Sequence, residues 1–303
     1  MIDRRTLISG AAGVSLLAAT ASAQSGAAPP AAPASGADPW RQRGTVPRGG
    51  GVIGWAIAGN GPKTIVAMPK LGGWINDWAP LARELGPQYT LLAVDPPGHG
   101  SSKMATEPPK VQMLSESAAM VKAALDELGV RDFALMGNSL GGCIAATMAG
   151  LWPKLATHLV LISTAIYNAD PIEQIIAEQD AVKPPIYDAD GNPLPRDAAT
   201  ANQRFAMTDR FLDEMNASRR AAGRWIRVSE RGVRREGIAD MLTRVEVPTL
   251  LLYSDAGSYV RFPAMGMKLL RNGRSVILPG GGSFMHQEKP VETAATIRDF
   301  LRA

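Results

Sequence analysis

Short, nearly continuous apolar runs recur through the chain, and they constrain its fold more than any other feature. Four of these runs are rich in leucine and β-branched residues: "KTIVAM" (63–68), "YTLLAV" (89–94), "FALM" (133–136) and "HLVLIS" (158–163). Such runs indicate strands that are buried on both faces, as in a parallel sheet. Between two of them, residues 111–130 place apolar side chains at helical spacing. The alternation predicts an α/β fold with a mostly parallel central sheet and helices on both faces.

The alternation stops after Ser163. Residues 164–246 contain helical patterns and a turn-rich segment but no strong strand, and strand signal returns at 248–253 and again at 275–278. We therefore predict a core of residues 46–163 and 247–303, with a helical cap at 164–246 inserted between its sixth and seventh strands. A cap in this place would cover the carboxyl edge of the sheet, where open α/β folds bind ligands.

The N-terminal residues have the order of an export signal. Arg4 and Arg5 precede a short apolar stretch, and Ala21 to Ala23 gives a small-x-small cleavage pattern. We predict a twin-arginine-type signal peptide at 1–23, and hence an exported, periplasmic or secreted protein without stable membrane insertion after cleavage. Residues 24–45, rich in Ala and Pro near their start, are predicted to be a flexible linker.

Composition argues against several kinds of partner. The net charge of +4 has no lysine block behind it, and the arginine clusters lie among acids in a helical stretch. These features are typical of a solvated face and predict no nucleic-acid binding. The single cysteine, Cys143, cannot form an internal disulfide, and no Cys/His cluster has metal-ligand spacing. We expect no metal or cofactor, and a small-molecule substrate.

One motif has the pattern of a catalytic turn. Gly137, Ser139 and Gly141 form a Gly-x-Ser-x-Gly string between a predicted strand and a predicted helix. A nucleophile on such a sharp turn needs glycines on either side, because side chains there would collide with neighbouring elements. We predict that Ser139 is exposed at the sheet edge and that the helix N-terminus faces a developing anion.

Further segments give the chain a family resemblance. The segments "WAPLARELG" (78–86), "DPPGHGSS" (95–102) and "PGGGSFMHQEKP" (279–290) are similar to the first helix, the Gly-His-Gly loop and the histidine loop of α/β-hydrolases. Together with the serine motif they resemble that superfamily over nearly all of residues 50–303. The resemblance implies a serine hydrolase with a helical cap and a triad in the order serine, acid, histidine.

His286 is the predicted general base. The chain has three histidines. His99 lies in the loop with which the family shapes the sheet edge, and His158 opens a strand, at the end of the sheet away from Ser139. His286 follows the last strand in a glycine-rich loop, from which it could reach over the sheet edge.

The oxyanion hole needs two N–H donors. Leu140, directly after the nucleophile, is the first. The second should come from the loop after the third strand, where many family members have His-Gly and this chain has Pro69 and Lys70. Because proline has no N–H, we expect Leu71 to donate instead.

The same loop supplies our expectations for the substrate pocket. Gly72, with Gly73, would let the loop fold close to the substrate, and Trp74 would line the acyl pocket. Trp78 fits the pocket or the core equally well. Lys70 is expected to be solvated.

The triad acid has two candidates. In the commonest family pattern the acid follows the strand after the cap by about four residues, which here falls on Gly257. Asp255, two residues earlier, is the favoured acid. Asp170, which follows the preceding strand, is the alternative, since some relatives place their acid there.

These residues predict acyl transfer to water through an acyl-enzyme. Ser139 in place of an aspartate argues against halide displacement and epoxide opening. The expected substrate is a small or medium carboxylic ester, lactone or thioester. Carbon–carbon bond hydrolysis of a diketone-like substrate is the first alternative, and a non-catalytic binding protein on the same scaffold is the second.

Overall fold

A single mixed sheet forms the centre of the protein. The computed structural model describes residues 38–182, 185–197 and 209–302. The strands are β1 (Trp40–Arg48), β2 (Gly51–Ala58), β3 (Lys63–Met68), β4 (Tyr89–Val94), β5 (Lys103–Met104), β6 (Phe133–Asn138), β7 (His158–Ile162), β8 (Thr249–Ser254) and β9 (Gly273–Leu278). Their order is β1-β2-β4-β3-β6-β7-β8-β9, with β5 pairing beside β2. From β4 to β9 all neighbours are parallel, which confirms the predicted α/β architecture.

Helices cover both faces of this sheet. They are α1 (Ala79–Leu85), α2 (Leu114–Glu127), α3 (Leu140–Leu151), α4 (Ile172–Ala181), α5 (Asp209–Ala222), α6 (Trp225–Glu236), α7 (Ala239–Arg244), α8 (Phe262–Leu269), α9 (Met285–Glu288) and α10 (Pro290–Arg302). Among the described residues, no helix is both long and apolar enough to cross a bilayer.

The apolar runs of the sequence are explained by two core layers. In β6, Leu135 packs into one layer and Met136 into the other; in β7, Leu161 and Val160 divide in the same way. Because successive side chains of a strand point to opposite faces, a sheet buried on both faces needs apolar residues at every position.

The topology places one crevice at the carboxyl edge. The chain runs from β3 outward to β4 and then returns to β6 on the other side of β3. At the ends of β3 and β6, Met68 pairs with Gly137. The loops that follow these two strands therefore diverge from one point, where open α/β sheets bind their ligands.

The helical insert lies against this edge but is shorter than predicted. Its helix α6 is joined to the core by the Gln112 N–H, which donates to the Val228 carbonyl at 3.1 Å, and it presses the Trp225 ring against Gly98. The last helix of the insert, α7, belongs to the core instead, since Leu242 is fully buried beside α3. The predicted boundary at 246 is therefore about ten residues too late.

The predicted linker is too long. Strand β1 begins at Trp40, which is buried and pairs with Ala58 of β2. Residues 40–45 therefore belong to the sheet. The predicted signal peptide (1–23) and the first part of the linker lie outside the described residues.

Candidate active site

Ser139 occupies a strained turn between β6 and α3. Its φ of 51° and ψ of −114° are rare for a residue with a side chain and cost on the order of 1–3 kcal/mol. The flanking glycines allow this turn. A Cβ on Gly137 would lie 2.2 Å from the Gly141 carbonyl, and one on Gly141 would lie 2.0 Å from the Met68 oxygen. The Gly-x-Ser-x-Gly string is therefore a steric requirement of this geometry.

The Ser139 hydroxyl pairs with a residue that the sequence did not indicate. Its Oγ lies 3.2 Å from the Oη of Tyr259, in the turn after β8. Burial raises the pKa of the Tyr259 phenol, so that it stays protonated at neutral pH. The sequence predicts only an acid from this turn. A hydroxyl five residues past a strand that ends beside the site is the signal that could have identified Tyr259.

Two backbone N–H groups fit an oxyanion hole. Leu140 is the first residue of α3, where the N–H has no acceptor one turn back in the helix. Leu71 lines the cavity in front of Ser139, and its N–H has no acceptor among the described residues. The Gly141 N–H is occupied, because it donates to the Pro69 carbonyl at 3.0 Å. This bond connects the loop after β3 to the turn that carries Ser139.

His286 lies in α9 and is fully buried. Its ring packs on Trp78 with 4.5 Å between centroids, and neither ring nitrogen has a hydrogen-bond partner in the part of the chain that the structure describes. Burial, and secondarily the charge of Lys70, hold the pKa of His286 well below its usual value, so the imidazole is neutral. The structure therefore does not join His286 to Ser139, whose hydroxyl contacts Tyr259. Trp78 is a core residue and contributes a wall for the imidazole.

The structure brings neither candidate acid to His286. Asp255 is exposed, and its Oδ1 accepts the Gly280 N–H at 3.0 Å. The turn after β8 thus directs this carboxylate to the backbone of the histidine loop, and the expected contact with the imidazole is wrong. Asp170 forms an ion pair with Arg234 of the cap at 2.6 Å, so its charge is compensated by the arginine and not by His286.

Other polar groups fix the histidine loop. Asn138, directly before Ser139, donates from Nδ2 to the carbonyls of Ser283 at 3.1 Å and Ile162 at 3.0 Å. Glu288 accepts the N–H groups of Gly282 and Phe284. These bonds hold the loop against the ends of β6 and β7. Sequence reasoning missed both Asn138 and Glu288.

Lys70 departs from expectation. Its side chain is 6% exposed and forms an ion pair with Asp77, which is 5% exposed. The ammonium also lies 5.0 Å from the Phe284 ring centroid. The expectation of a solvated lysine is wrong, because a buried carboxylate seven residues later compensates the charge inside the protein.

Asp95 organises the loop after β4. Its carboxylate accepts the N–H of Ile75 at 2.7 Å and both the N–H and the hydroxyl of Ser101 at 2.7 Å. His99 in the same loop is fully buried, with its Nδ1 3.1 Å from the Pro97 carbonyl. Both residues therefore shape the sheet edge and take no part in the hydrogen bond of the Ser139 hydroxyl.

A cavity of about 630 Å³ opens in front of Ser139. Its lining comprises Lys70, Leu71, Ser139, Arg196, Met215, Arg219, Ala256, Gly257, Ser258, Tyr259, Gly282, Ser283 and Phe284. Trp74 and Gly72, our expected pocket residues, are absent from it. Gly72 is buried against α6, where an added Cβ would lie 2.8 Å from Ile226. It therefore contacts the cap and does not line the cavity, contrary to expectation.

Within the described ranges, no group of three His, Cys, Asp or Glu side chains lies close enough to hold a metal ion.

Comparison with known proteins agrees with this geometry. A model of the alpha/beta hydrolase family matches residues 71–296. Over 143 residues the chain is 32% identical to the dihydrolipoyllysine-residue acetyltransferase component of the acetoin cleaving system of Pseudomonas putida. That match covers 45% of this chain and 38% of the relative, so the chain spans well under half of that protein's length.

Two other matches extend over most of the chain. The "Putative carbamate hydrolase RutD" of Pseudomonas savastanoi pv. phaseolicola is 26% identical over 263 residues, covering 79% of this chain and 93% of the relative. The crystal structure of a hydrolase from Pseudomonas aeruginosa PA01 superposes with a TM-score of 0.70 at 23% identity. It covers 87% of this chain and 99% of the other, and supports the fold.

Proposed function

Because the chain belongs to the alpha/beta hydrolase family and is a hydrolase, we propose that it cleaves a carboxylic ester, lactone or thioester through an acyl-enzyme at Ser139. The observation behind this proposal is the strained, positive-φ Ser139 at the start of α3, lining a cavity of about 630 Å³. A volume of this size suits a small or medium substrate. The relative named as a carbamate hydrolase is consistent with acyl transfer to water.

In the proposed reaction, Ser139 Oγ attacks the substrate carbonyl while its proton passes to His286. The oxyanion accepts the N–H groups of Leu140 and Leu71. His286 then returns the proton to the departing alkoxide, and water repeats the sequence to release the acid. The neutral state of His286 suits this role, since only the unprotonated imidazole accepts a proton.

The proposal requires one rearrangement. In the structure Ser139 pairs with Tyr259, and the His286 ring packs on Trp78 with no hydrogen-bond partner among the described residues. Substrate binding must exchange the tyrosine hydroxyl for the imidazole at Ser139. The unpartnered nitrogens of His286 favour this movement, because a buried polar group without a hydrogen bond costs about 1–3 kcal/mol. We assign Asp255 the role of holding the histidine loop through Gly280.

The N-terminal sequence adds a location to the proposal. The paired arginines and the small-x-small pattern support export of the folded enzyme by a twin-arginine route. Its substrate would then be met outside the cytoplasm, without a nucleic-acid partner or a stable membrane anchor.

A fluorophosphonate probe tests the nucleophile directly. Wild-type protein should be labelled, and Ser139→Ala should be neither labelled nor active on 4-nitrophenyl acyl esters. Ser163→Ala is a matched control, since Ser163 directly follows β7 with a φ of 41° and its buried hydroxyl has no partner among the described residues. Labelling of Ser139→Ala to the wild-type extent would refute the assignment.

The base has a matched control of its own. His286→Gln should lower kcat by at least about a hundredfold, the usual contribution of general acid–base catalysis. His158→Gln should leave kcat unchanged, because His158 lies at the start of β7, at the other end of the strands. Wild-type turnover by His286→Gln would remove histidine from the mechanism.

A further inference from the structure

The cavity in front of Ser139 is lined by cations. Lys70, Arg196 and Arg219 line it, and the described lining residues include no aspartate or glutamate. Cationic walls without acids raise the local concentration of anions. The three cations differ, however, in how far the protein already neutralises them.

Lys70 is compensated, whereas Arg219 is not. Lys70 is held in its buried ion pair with Asp77. Arg219 is only 9% exposed. Among the described residues, its buried Nε has no hydrogen-bond partner and no carboxylate forms an ion pair with it. Burial, and next the like charge of Arg196, lower the pKa of Arg219 to about 10, so it remains cationic at neutral pH.

Glu230 is the carboxylate that acts electrostatically on Arg219, but its hydrogen bonds go to other residues. Glu230 attracts Arg219 but accepts hydrogen bonds from Gln179 Nε2 at 2.8 Å and Tyr187 Oη at 2.9 Å. Arg196 also has no ion-pair partner among the described residues. Two guanidinium groups therefore line one cavity, and within the described part of the chain neither has a carboxylate in an ion pair with it. For the buried Arg219, a bound anion would supply the compensation that the described residues do not give.

The two arginines are held in place by a defined frame. Asn216 of α5 accepts the Arg196 N–H at 2.9 Å and donates to the Arg196 carbonyl at 2.8 Å, which fixes that segment to the helix bearing Arg219. The Arg219 stem passes close to Gly72, where a Cβ would lie 3.1 Å from its Cγ. Gly72 thus makes room for the arginine beside the loop of Leu71.

We infer that the substrate is an ester that carries a carboxylate at the end remote from its reacting carbonyl, and that Arg219 and Arg196 bind this carboxylate. The inference rests on the proposed hydrolase function and names its substrate class. Guanidinium groups bind carboxylates through paired, charge-assisted hydrogen bonds. Met215 and Phe284 provide the apolar lining for a hydrocarbon chain between the two ends.

Two esters of equal chain length test this inference. Monomethyl adipate and methyl hexanoate differ only in the terminal carboxylate, and their hydrolysis is followed by methanol release. Wild-type kcat/KM should be at least about tenfold higher for the hemiester, since a charge-assisted bond contributes about that factor. Arg219→Gln should remove the preference by lowering kcat/KM for the hemiester roughly ten- to hundredfold, with methyl hexanoate nearly unaffected.

Two further variants complete the test: one controls for folding and bulk charge, and the other removes the second cation of the cavity. Arg220→Gln removes an exposed arginine next to Arg219, outside the cavity lining, and should keep the wild-type preference. Arg196→Gln removes the second cation without disturbing the packed Arg219 stem and should also reduce the preference. Equal kcat/KM for the two esters in wild-type protein, or equal effects of the Arg219 and Arg220 substitutions, would overturn the inference.

Calorimetry on the Ser139→Ala protein separates this inference from the proposed function. If neither ester is cleaved and Ser139 is not labelled, the esterase proposal fails, but binding still decides the arginine site. Monomethyl adipate should bind the Ser139→Ala protein, and adding Arg219→Gln should weaken its Kd roughly ten- to hundredfold. Absence of binding, or binding unchanged by Arg219→Gln, would refute an anion site.

Discussion

The buried ion pair between Lys70 and Asp77 gives the sharpest test of the structure. Both side chains are about 95% buried, so removal of one partner leaves an uncompensated charge. Replacing Lys70 with Met keeps the aliphatic part of the side chain and leaves the Asp77 carboxylate buried without a counter-charge. Such losses cost about 3–5 kcal/mol. Lys70→Met should therefore lower the free energy of unfolding by about that amount at pH 8, measured by urea denaturation with circular dichroism.

The pH dependence identifies the cause. Burial raises the pKa of Asp77, whereas the charge and hydrogen bond of Lys70 lower it. Without Lys70 the pKa rises further. A carboxyl whose folded pKa exceeds its unfolded value stabilises the protein at low pH and loses that contribution as pH rises. The difference between wild type and Lys70→Met should consequently be smaller at pH 5.5 than at pH 8.

A double-mutant cycle completes this test. Asp77→Asn removes the uncompensated negative charge while keeping the side-chain volume. The double variant Lys70→Met with Asp77→Asn should be more stable than Lys70→Met alone, with a coupling energy of roughly 1–3 kcal/mol. A cost for Lys70→Met that is independent of pH, together with additive single effects, would show that the pair is not formed.

Two further predictions concern the Ser139 turn and the histidine loop. Gly141→Ala should destabilise the protein by more than about 3 kcal/mol, because its Cβ would lie 2.0 Å from the Met68 oxygen. Gly281→Ala is the control and should not destabilise it, since the nearest atom to its Cβ would be 3.7 Å away. Equal melting temperatures for the two variants would contradict this prediction. Asp255→Asn keeps an acceptor for Gly280 and should change kcat/KM by no more than a fewfold, whereas Asp255→Ala should lower it roughly fivefold. A loss of several orders of magnitude in Asp255→Asn would instead make Asp255 the acid that orients the base.

The elements that could be predicted from sequence are those whose environment imposes a pattern. Central strands such as β6 and β7 are buried on both faces, so their sequences are continuous apolar runs. Strand β1 was missed because it lies at the edge of the sheet, and most of its residues are exposed or half-buried. Edge strands lack the apolar run by which a buried strand is recognised.

Long-range polar pairing could not be predicted. Nothing in the local sequence of Lys70 distinguishes it from a surface lysine, and its burial depends on where the loop places Asp77. Likewise Asp255 and Tyr259 lie four residues apart in one turn, and only the path of that turn decides which of them approaches Ser139. Residue type and chain order indicate candidates, whereas loop geometry selects among them.

These pairings decide which groups of the site carry uncompensated charge, and that charge decides which substrates the cavity favours. His286 is held neutral by burial, the raised pKa of Tyr259 keeps its phenol protonated, and Lys70 is compensated by Asp77. Of the described cavity-lining groups, the guanidiniums of Arg219 and Arg196 therefore retain uncompensated charge. Since partly buried charges are screened less by salt than exposed ones, the cavity should select its substrate by charge as well as by size.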